Sequence, residues 1–420
     1  MKKVLYFLFA LLLLAPVTGE LWRISLLGLA FLPGDLLIPT IFIVWSLDKI
    51  HSDRKIRIGK IGKAIFVFLV VLLMGYFLNM LRFDSRQMIG SIVAVGRLGM
   101  YVILAGMTFD LLDRDKGNHF RKLLIVSMIA SMVLLIILGF LQLKYFGDFF
   151  ELGMQLQGWD PHIGRLLSTW FDPNFIGGYL AFMLSITIAL GLYFRHHQNR
   201  RLFLVLSAIS VAGLIALYLT YSRSAILALV ASLGILALMK SRKLLVISAV
   251  VIVMGFAVSP RVQDRFMDLW GTARVVFGID IQQTIDPTAQ LRLYSWQFAQ
   301  EMISEYPLLG VGYNRYAYEI NYRGHGLLDS HASTGSDSSI LTLWATTGLF
   351  GMLSFLFIGV VATMTALRRI GNKADFDSYL QTGFLAGFGG VMVHSIFVNS
   401  LLYALMMVYL WISIGMMDQR

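Results

Sequence analysis

Leu123-Leu-Ile-Val-Ser-Met-Ile-Ala-Ser-Met-Val-Leu-Leu-Ile-Ile-Leu-Gly-Phe-Leu141 decides the fold. The run is continuously apolar and uncharged, and about 20 such residues are needed to cross a bilayer as a helix. A membrane barrel would instead alternate apolar and polar residues, so a helical span is the reading that fits. Working outward, the 420-residue chain is 57% hydrophobic and 14% charged, too apolar for a soluble protein.

Similar segments fall near Val4–Val17, Leu36–Leu47, Ala64–Leu81, Met88–Leu112, Leu123–Phe146, Pro173–Phe194, Leu202–Thr220, Ser224–Met239, Leu244–Ser259, Ile340–Leu367, Tyr379–Val398 and Leu401–Met417. The expected fold class is therefore all-α, a polytopic integral membrane protein of about 12 transmembrane helices. Met1-Lys-Lys3 with Val4–Val17 resembles a signal peptide, but Val17-Thr-Gly19 is a poor cleavage site. We read it as a retained first span. No internal repeat is evident, so residues 1–420 read as a single membrane domain.

Orientation follows from Lys and Arg in the short loops. Lys2, Lys3, Lys49, Arg54, Lys55, Arg57, Lys60, Lys63, Arg114, Lys116, Arg121, Lys122, Arg195, Arg200, Arg201, Lys240, Arg242, Lys243, Arg368, Arg369 and Lys373 occupy one set of loops. That set is expected to be cytoplasmic, together with both termini. Insertion then accounts for the net charge of +11 without a nucleic-acid partner. With no cysteine, the chain has no disulfide framework and no thiol chemistry. No metal-ligand motif is present either, so neither a cofactor nor a metal is expected.

Residues 260–339 form the long polar interruption, an extracytoplasmic loop inserted between spans nine and ten. Basic residues on that side or within spans are Arg23, Arg82, Arg86, Arg97, Lys144, Arg165, Arg223, Arg261, Arg265, Arg274, Arg292, Arg315 and Arg323, all but one of them arginine. A guanidinium fork suits bidentate capture of phosphate. Pairing with loop acids such as Asp264 and Asp268 is the structural alternative.

Four stretches could carry chemistry. In Asp160-Pro-His-Ile-Gly-Arg165 and Ser168–Gly178, Asp172-Pro173 reads as a helix start, with the carboxylate as cap. Arg165 just ahead of it makes a candidate phosphate site with the helix end. In Thr220-Tyr-Ser-Arg-Ser-Ala225, Arg223 sits at the edge of the hydrocarbon, where a charge is either functional or snorkels to the interface.

The third stretch is a loop helix from about Ala289 to Glu305. It carries Arg292 four residues before Trp296 and an apolar stripe of Trp296, Ala299 and Ile303 suited to the membrane surface. Pro307-Leu-Leu-Gly-Val-Gly-Tyr-Asn314 then stops it in a tight turn, with Gly310-Val-Gly312 a weak phosphate-loop signal. The fourth is Asp329-Ser-His331, whose histidine could take a proton from a sugar hydroxyl.

In this order and spacing, the stretches resemble the O-antigen ligase and O-antigen polymerase superfamily. The matching pieces are Arg165–Gly178, Ser222-Arg-Ser224, Arg292-x-x-x-Trp296 with Pro307–Gly312, and the histidine ahead of Thr346-Thr-Gly-Leu-Phe-Gly351. The resemblance covers roughly residues 160–360. It implies a C-type (GT-C-like) membrane glycosyltransferase in a bacterial cytoplasmic membrane, acting at the outer, periplasmic face on undecaprenyl-diphosphate-linked glycan.

By that resemblance Arg165, Arg223 and Arg292 hold the diphosphate and His331 activates the acceptor hydroxyl, which predicts a metal-independent, inverting transfer. Trp296 and Tyr313, in the same stretches, are read as substrate-binding. The family often carries His-Asn where this chain has His331-Ala332, so His325 is the alternative histidine. The acceptor is another lipid-linked repeat unit for a polymerase, the preferred reading, or a lipopolysaccharide core or protein for a ligase. Membrane lipid and a chain-length regulator protein are the other candidate partners. A polysaccharide flippase is the alternative from a different class, although internal repeats are common there.

Overall fold

A computed structural model describes residues 1–26, 29–52, 56, 59–82, 84–115, 117–243, 246, 249, 263, 267, 287–324, 335–370 and 374–418. Its helices are α1 (Lys2–Leu14), α2 (Pro33–Ser52), α3 (Lys60–Asn79), α4 (Ser85–Asp113), α5 (His119–Tyr145), α6 (Pro173–His196), α7 (Arg200–Leu219) and α8 (Arg223–Met239). These are followed by α9 (Pro287–Glu305), α10 (Tyr316–Tyr322), α11 (Ser339–Ile370), α12 (Phe376–His394) and α13 (Ala404–Met417). Eleven of the expected spans coincide with helices, and Leu244–Ser259 lies almost wholly outside the described residues. Among the described residues, six helices are long and apolar enough to cross a membrane: those of α3, α4, α5, α6, α7 and α11. The described residues are mostly helical, as the all-α reading expects. Beside the helices, Ile24–Leu26 and Leu29–Phe31 pair as two short antiparallel strands.

Helix starts follow local chemistry. Asp84, Asp172, Asn199, Ser222 and Asp375 each accept a backbone N–H from the first turn of α4, α6, α7, α8 and α12. Helix α6 is the centre of the bundle, with 83% of its apolar stretch buried against 28% for α7. It packs on α7, α8 and α12. Without a hydrophobic drive inside lipid, close backbone approach needs small residues. A Cβ on Gly177 would lie 2.6 Å from that of Ala225, and one on Gly387 would lie 3.0 Å from the Phe182 carbonyl.

The bundle has two unlike ends. At one, Arg121 pairs with Asp377, Lys240 Nζ donates to Ser378 Oγ at 2.6 Å, and Lys49 Nζ meets Asp110 at 2.5 Å. Lys2, Lys60, Arg368 and Arg369 lie at the same end, so the basic short loops gather on one side as their alternation along the chain requires. The other end holds the starts of α6, α8 and α11 and the end of α12.

Helix α11 is broken at Gly348, whose φ of 69° and ψ of −178° are not helical. Into this break fits the turn after α9. Val311 N–H donates to the Ala345 carbonyl at 2.8 Å, Gly312 N–H to Thr346 at 3.0 Å, and Leu349 N–H to Pro307 at 2.9 Å. Gly310-Val-Gly312 is thus a tight turn with φ of 66° and 105° at its glycines. Two of its N–H groups serve α11 and do not cradle a phosphate.

After α13, the Asp418 carboxylate accepts the Ile61 N–H at 3.1 Å and closes the start of α3. Burial pushes this carboxyl up to about 6, against the opposing pull of the Ile61 N–H, Arg369 and Lys60. The folded state therefore holds the proton more tightly than the unfolded chain does. The stability from this group is complete below the ordinary aspartate range, about 4, and is lost as pH rises to about 6. Thermal stability in detergent should fall across that window relative to Asp418→Asn; parallel curves for the two proteins would contradict it.

Candidate functional site

The connection between α7 and α8 anchors the site. Tyr221 takes φ of 50°, and Ser222 caps α8 with Oγ 3.3 Å from the Ala225 N–H. The same hydroxyl lies 2.7 Å from Asn174 Oδ1 and 3.1 Å from Ser224 Oγ. Asn174 itself opens α6, where Asp172 accepts the Asn174 and Phe175 N–H groups at 2.6 and 3.1 Å. The helix-start reading of Asp172 therefore describes its place, and its carboxylate occupies the N–H groups that a phosphate would otherwise meet. Arg165 reaches across to this connection, its Nε donating to the Thr220 carbonyl at 2.8 Å.

Ser224 leads to a residue the sequence reading left inside a span. Its hydroxyl is 3.2 Å from His394 Nε2, while His394 Nδ1 is 2.5 Å from Ser400 Oγ. His394 is fully buried at the end of α12. The expected spans Tyr379–Val398 and Leu401–Met417 ran almost together, whereas a turn separates α12 from α13 and carries Phe397 and Ser400. A histidine with serines close by on an otherwise apolar segment was the available signal, since buried polar groups must be paired.

Helix α9 brings Arg292 to the same place. Ser295, fully buried, donates to Ser336 Oγ at 3.2 Å and accepts the Asp337 N–H at 2.7 Å. From there Ser339 N–H donates to the Ser395 carbonyl at 2.9 Å, and Leu401 N–H to Ser339 Oγ at 3.0 Å. This chain of serines ties α9 to the start of α11 and to the turn after α12. Arg292 thus sits on the helix that is tied to this turn, and Trp296 lies 6.2 Å from Phe397 between ring centroids. The apolar stripe expected on the membrane surface packs largely on protein: Ala299 and Met302 are buried with Val311, Tyr316, Ile320 and Ala345, and Ile303 packs against them.

Arg165, Arg223, Arg292 and Trp296 therefore lie along one connected polar seam, each arginine half-buried. Tyr313 is held elsewhere, its carbonyl accepting from Ser91 Oγ at 2.7 Å on α4. It neighbours Arg97, for which the sequence offered no partner. Arg97 Nε meets Asp35 at 2.7 Å, 62 residues upstream. Arg315 and Arg323 have structural duties. Arg315 donates to Gln87 at 2.8 Å, and Arg323 forks onto Glu305 at 2.7 and 2.8 Å. His331, His325, Asp264 and Asp268 lie outside the described residues.

An apolar cleft of about 370 Å³ between α11, α12 and α13 ends beside the seam. Met392 and Leu401, which flank His394 and Ser400 in sequence, line it with Gly359, Phe388 and Trp411. Val360 and Met364, also in its wall, are about half exposed on the outer surface of the bundle. A chain of hydrocarbon could enter there sideways while its polar head reached the arginines.

Helices of this length and hydropathy, gathered around a buried polar seam, define an integral membrane protein with a site at one end of its bundle. Residues 208–356 match the family model described as O-antigen ligase, which supports the O-antigen ligase and polymerase superfamily. The match spans Ser222-Arg-Ser224, Arg292, Trp296 and the turn inserted at Gly348, but stops short of His394. It supports membrane glycosyl transfer in the broad sense, from a lipid-linked glycan to an acceptor. Comparison with curated proteins gave no match.

Proposed function

We propose that the chain transfers glycan from a lipid diphosphate carrier, of the undecaprenyl type, to an acceptor hydroxyl at the outer face of a bacterial cytoplasmic membrane. Both termini lie inside, and residues 260–339 are the extracytoplasmic catalytic loop of a GT-C-like architecture. What supports this reading is that Arg165 donates to the Thr220 carbonyl in the connection that carries Arg223, that Ser224 reaches His394, and that the helix carrying Arg292 is tied through Ser295 to Ser336 and Asp337 at the start of α11.

In the reaction the acceptor oxygen attacks the anomeric carbon opposite the carrier. The bond from that carbon to the phosphate oxygen breaks, and the diphosphate leaves with the electron pair. Guanidinium groups held in place beforehand stabilise that developing charge without having to reorganise. They take the part a divalent ion would otherwise play. His331 accepts the hydroxyl proton, and attack from the opposite face inverts the anomeric centre. His394 is a positioning residue in this scheme, holding Ser224 beside Arg223. The apolar cleft receives the carrier chain.

The acceptor is another carrier-linked repeat unit, making the protein a polymerase of surface polysaccharide that works alongside a chain-length regulator. The description of the matched family favours a second reading, a ligase that transfers to lipopolysaccharide core. Purified full-length protein incubated with carrier-linked repeat units and a chelator of divalent ions should produce longer carrier-linked chains. Transfer to added core oligosaccharide without elongation would replace the polymerase by the ligase. Transfer that needs added metal would overturn the proposed role of the arginines.

A further inference from the structure

At the end of the bundle opposite His394, a second cavity of about 350 Å³ lies between the start of α3 and the end of α11. Lys60, Lys63, Arg368 and Arg369 face it, together with Asp418 and Phe109. Among the described residues, one carboxylate stands against four cations, and it is committed to the Ile61 N–H. Arg369 donates to the main-chain carbonyl of Asp418 at 3.3 Å, and the nearby Asp377 is paired with Arg121. Among the described residues, Lys60, Lys63 and Arg368 form no ion pair.

Insertion explains why such charges gather at this end, but not why four of them line a common hollow between two spans. A surplus of cations around a concave space attracts a phosphate anion. The surface next to them is hydrocarbon. Phe66, Val67 and Leu367 lie within about a turn of the cations and are 67%, 48% and 48% exposed. A free phosphate would use the cations and leave this surface uncovered, whereas a lipid would use both.

We propose that this cavity binds the phosphate of an anionic phospholipid from the leaflet at the basic end, with the acyl chains lying along α3 and α11. The site is distinct from the seam at His394 and independent of the transfer reaction assigned there.

The test titrates phosphatidylglycerol onto the purified full chain in neutral detergent, with bound lipid counted by native mass spectrometry. Lys63→Gln/Arg368→Gln removes two exposed cations whose loss leaves the packing intact. At about fivefold for each basic residue near an anionic lipid, affinity should fall roughly 25-fold. Arg200→Gln/Arg201→Gln takes the same charge from exposed positions at the same end and should change it little. Phosphatidylcholine should bind no better to the native chain than to the Lys63/Arg368 variant, and inorganic phosphate should not displace phosphatidylglycerol. Equal losses in the two double variants would reduce the effect to diffuse surface charge and overturn the site. Full displacement by inorganic phosphate would overturn the lipid as its ligand.

Discussion

Arg292→Ala and Arg223→Ala should each lower glycan transfer by roughly 10² to 10³-fold, the usual cost of removing one preorganised donor from a developing anion. The folded protein should survive both changes, because each arginine is half-buried at a helix start or on the loop helix and neither belongs to the packed helix core. Lysine at either position keeps the charge but loses the fork, so it should restore only part of the rate. Glu305→Gln offers the contrast. It weakens the ion pair with Arg323 away from the seam and should leave transfer near its native value. Native rates in both alanine variants would remove the proposed site.

Gly348→Ala should be the most damaging small substitution in the bundle. Its backbone, with positive φ and ψ near 180°, is reached essentially by glycine alone. A Cβ there would lie 2.1 Å from the Leu308 carbonyl oxygen and 2.4 Å from the Leu309 nitrogen. Backbone strain and overpacking together cost roughly 2–5 kcal/mol. Gly324→Ala is the matched control. It has φ of 72° with no atom of the described residues within 4 Å of the added carbon, so it should lose only the conformational part, about 1–2 kcal/mol. Thermal unfolding in detergent measures both. Equal midpoints would mean that the turn following α9 does not depend on the break in α11.

Local chemistry was legible in the sequence. Asp172-Pro173 and Ser222 announce helix starts because a cap acts within three residues of itself. The helix through Arg292 and Trp296 shows in its spacing, and the spans show in their length. Contacts made between distant segments were not. Nothing near Arg97 points to Asp35, and nothing near Gly310-Val-Gly312 shows that its N–H groups complete a broken helix after residue 344. His394 was hidden because the turn after α12 is itself apolar, so hydropathy runs on across it. The stripe on α9 was assigned to membrane because periodicity reports that a face is buried, not what covers it.

The most direct measurement is a double-mutant cycle on single-turnover transfer with Arg223→Ala and Arg292→Ala. Groups that stabilise one departing diphosphate act as a unit, and removing both then costs much less than the product of the single losses. The double variant should therefore be only slightly slower than the poorer single variant. Losses that multiply in full would show two arginines acting independently, and would contradict a shared diphosphate site.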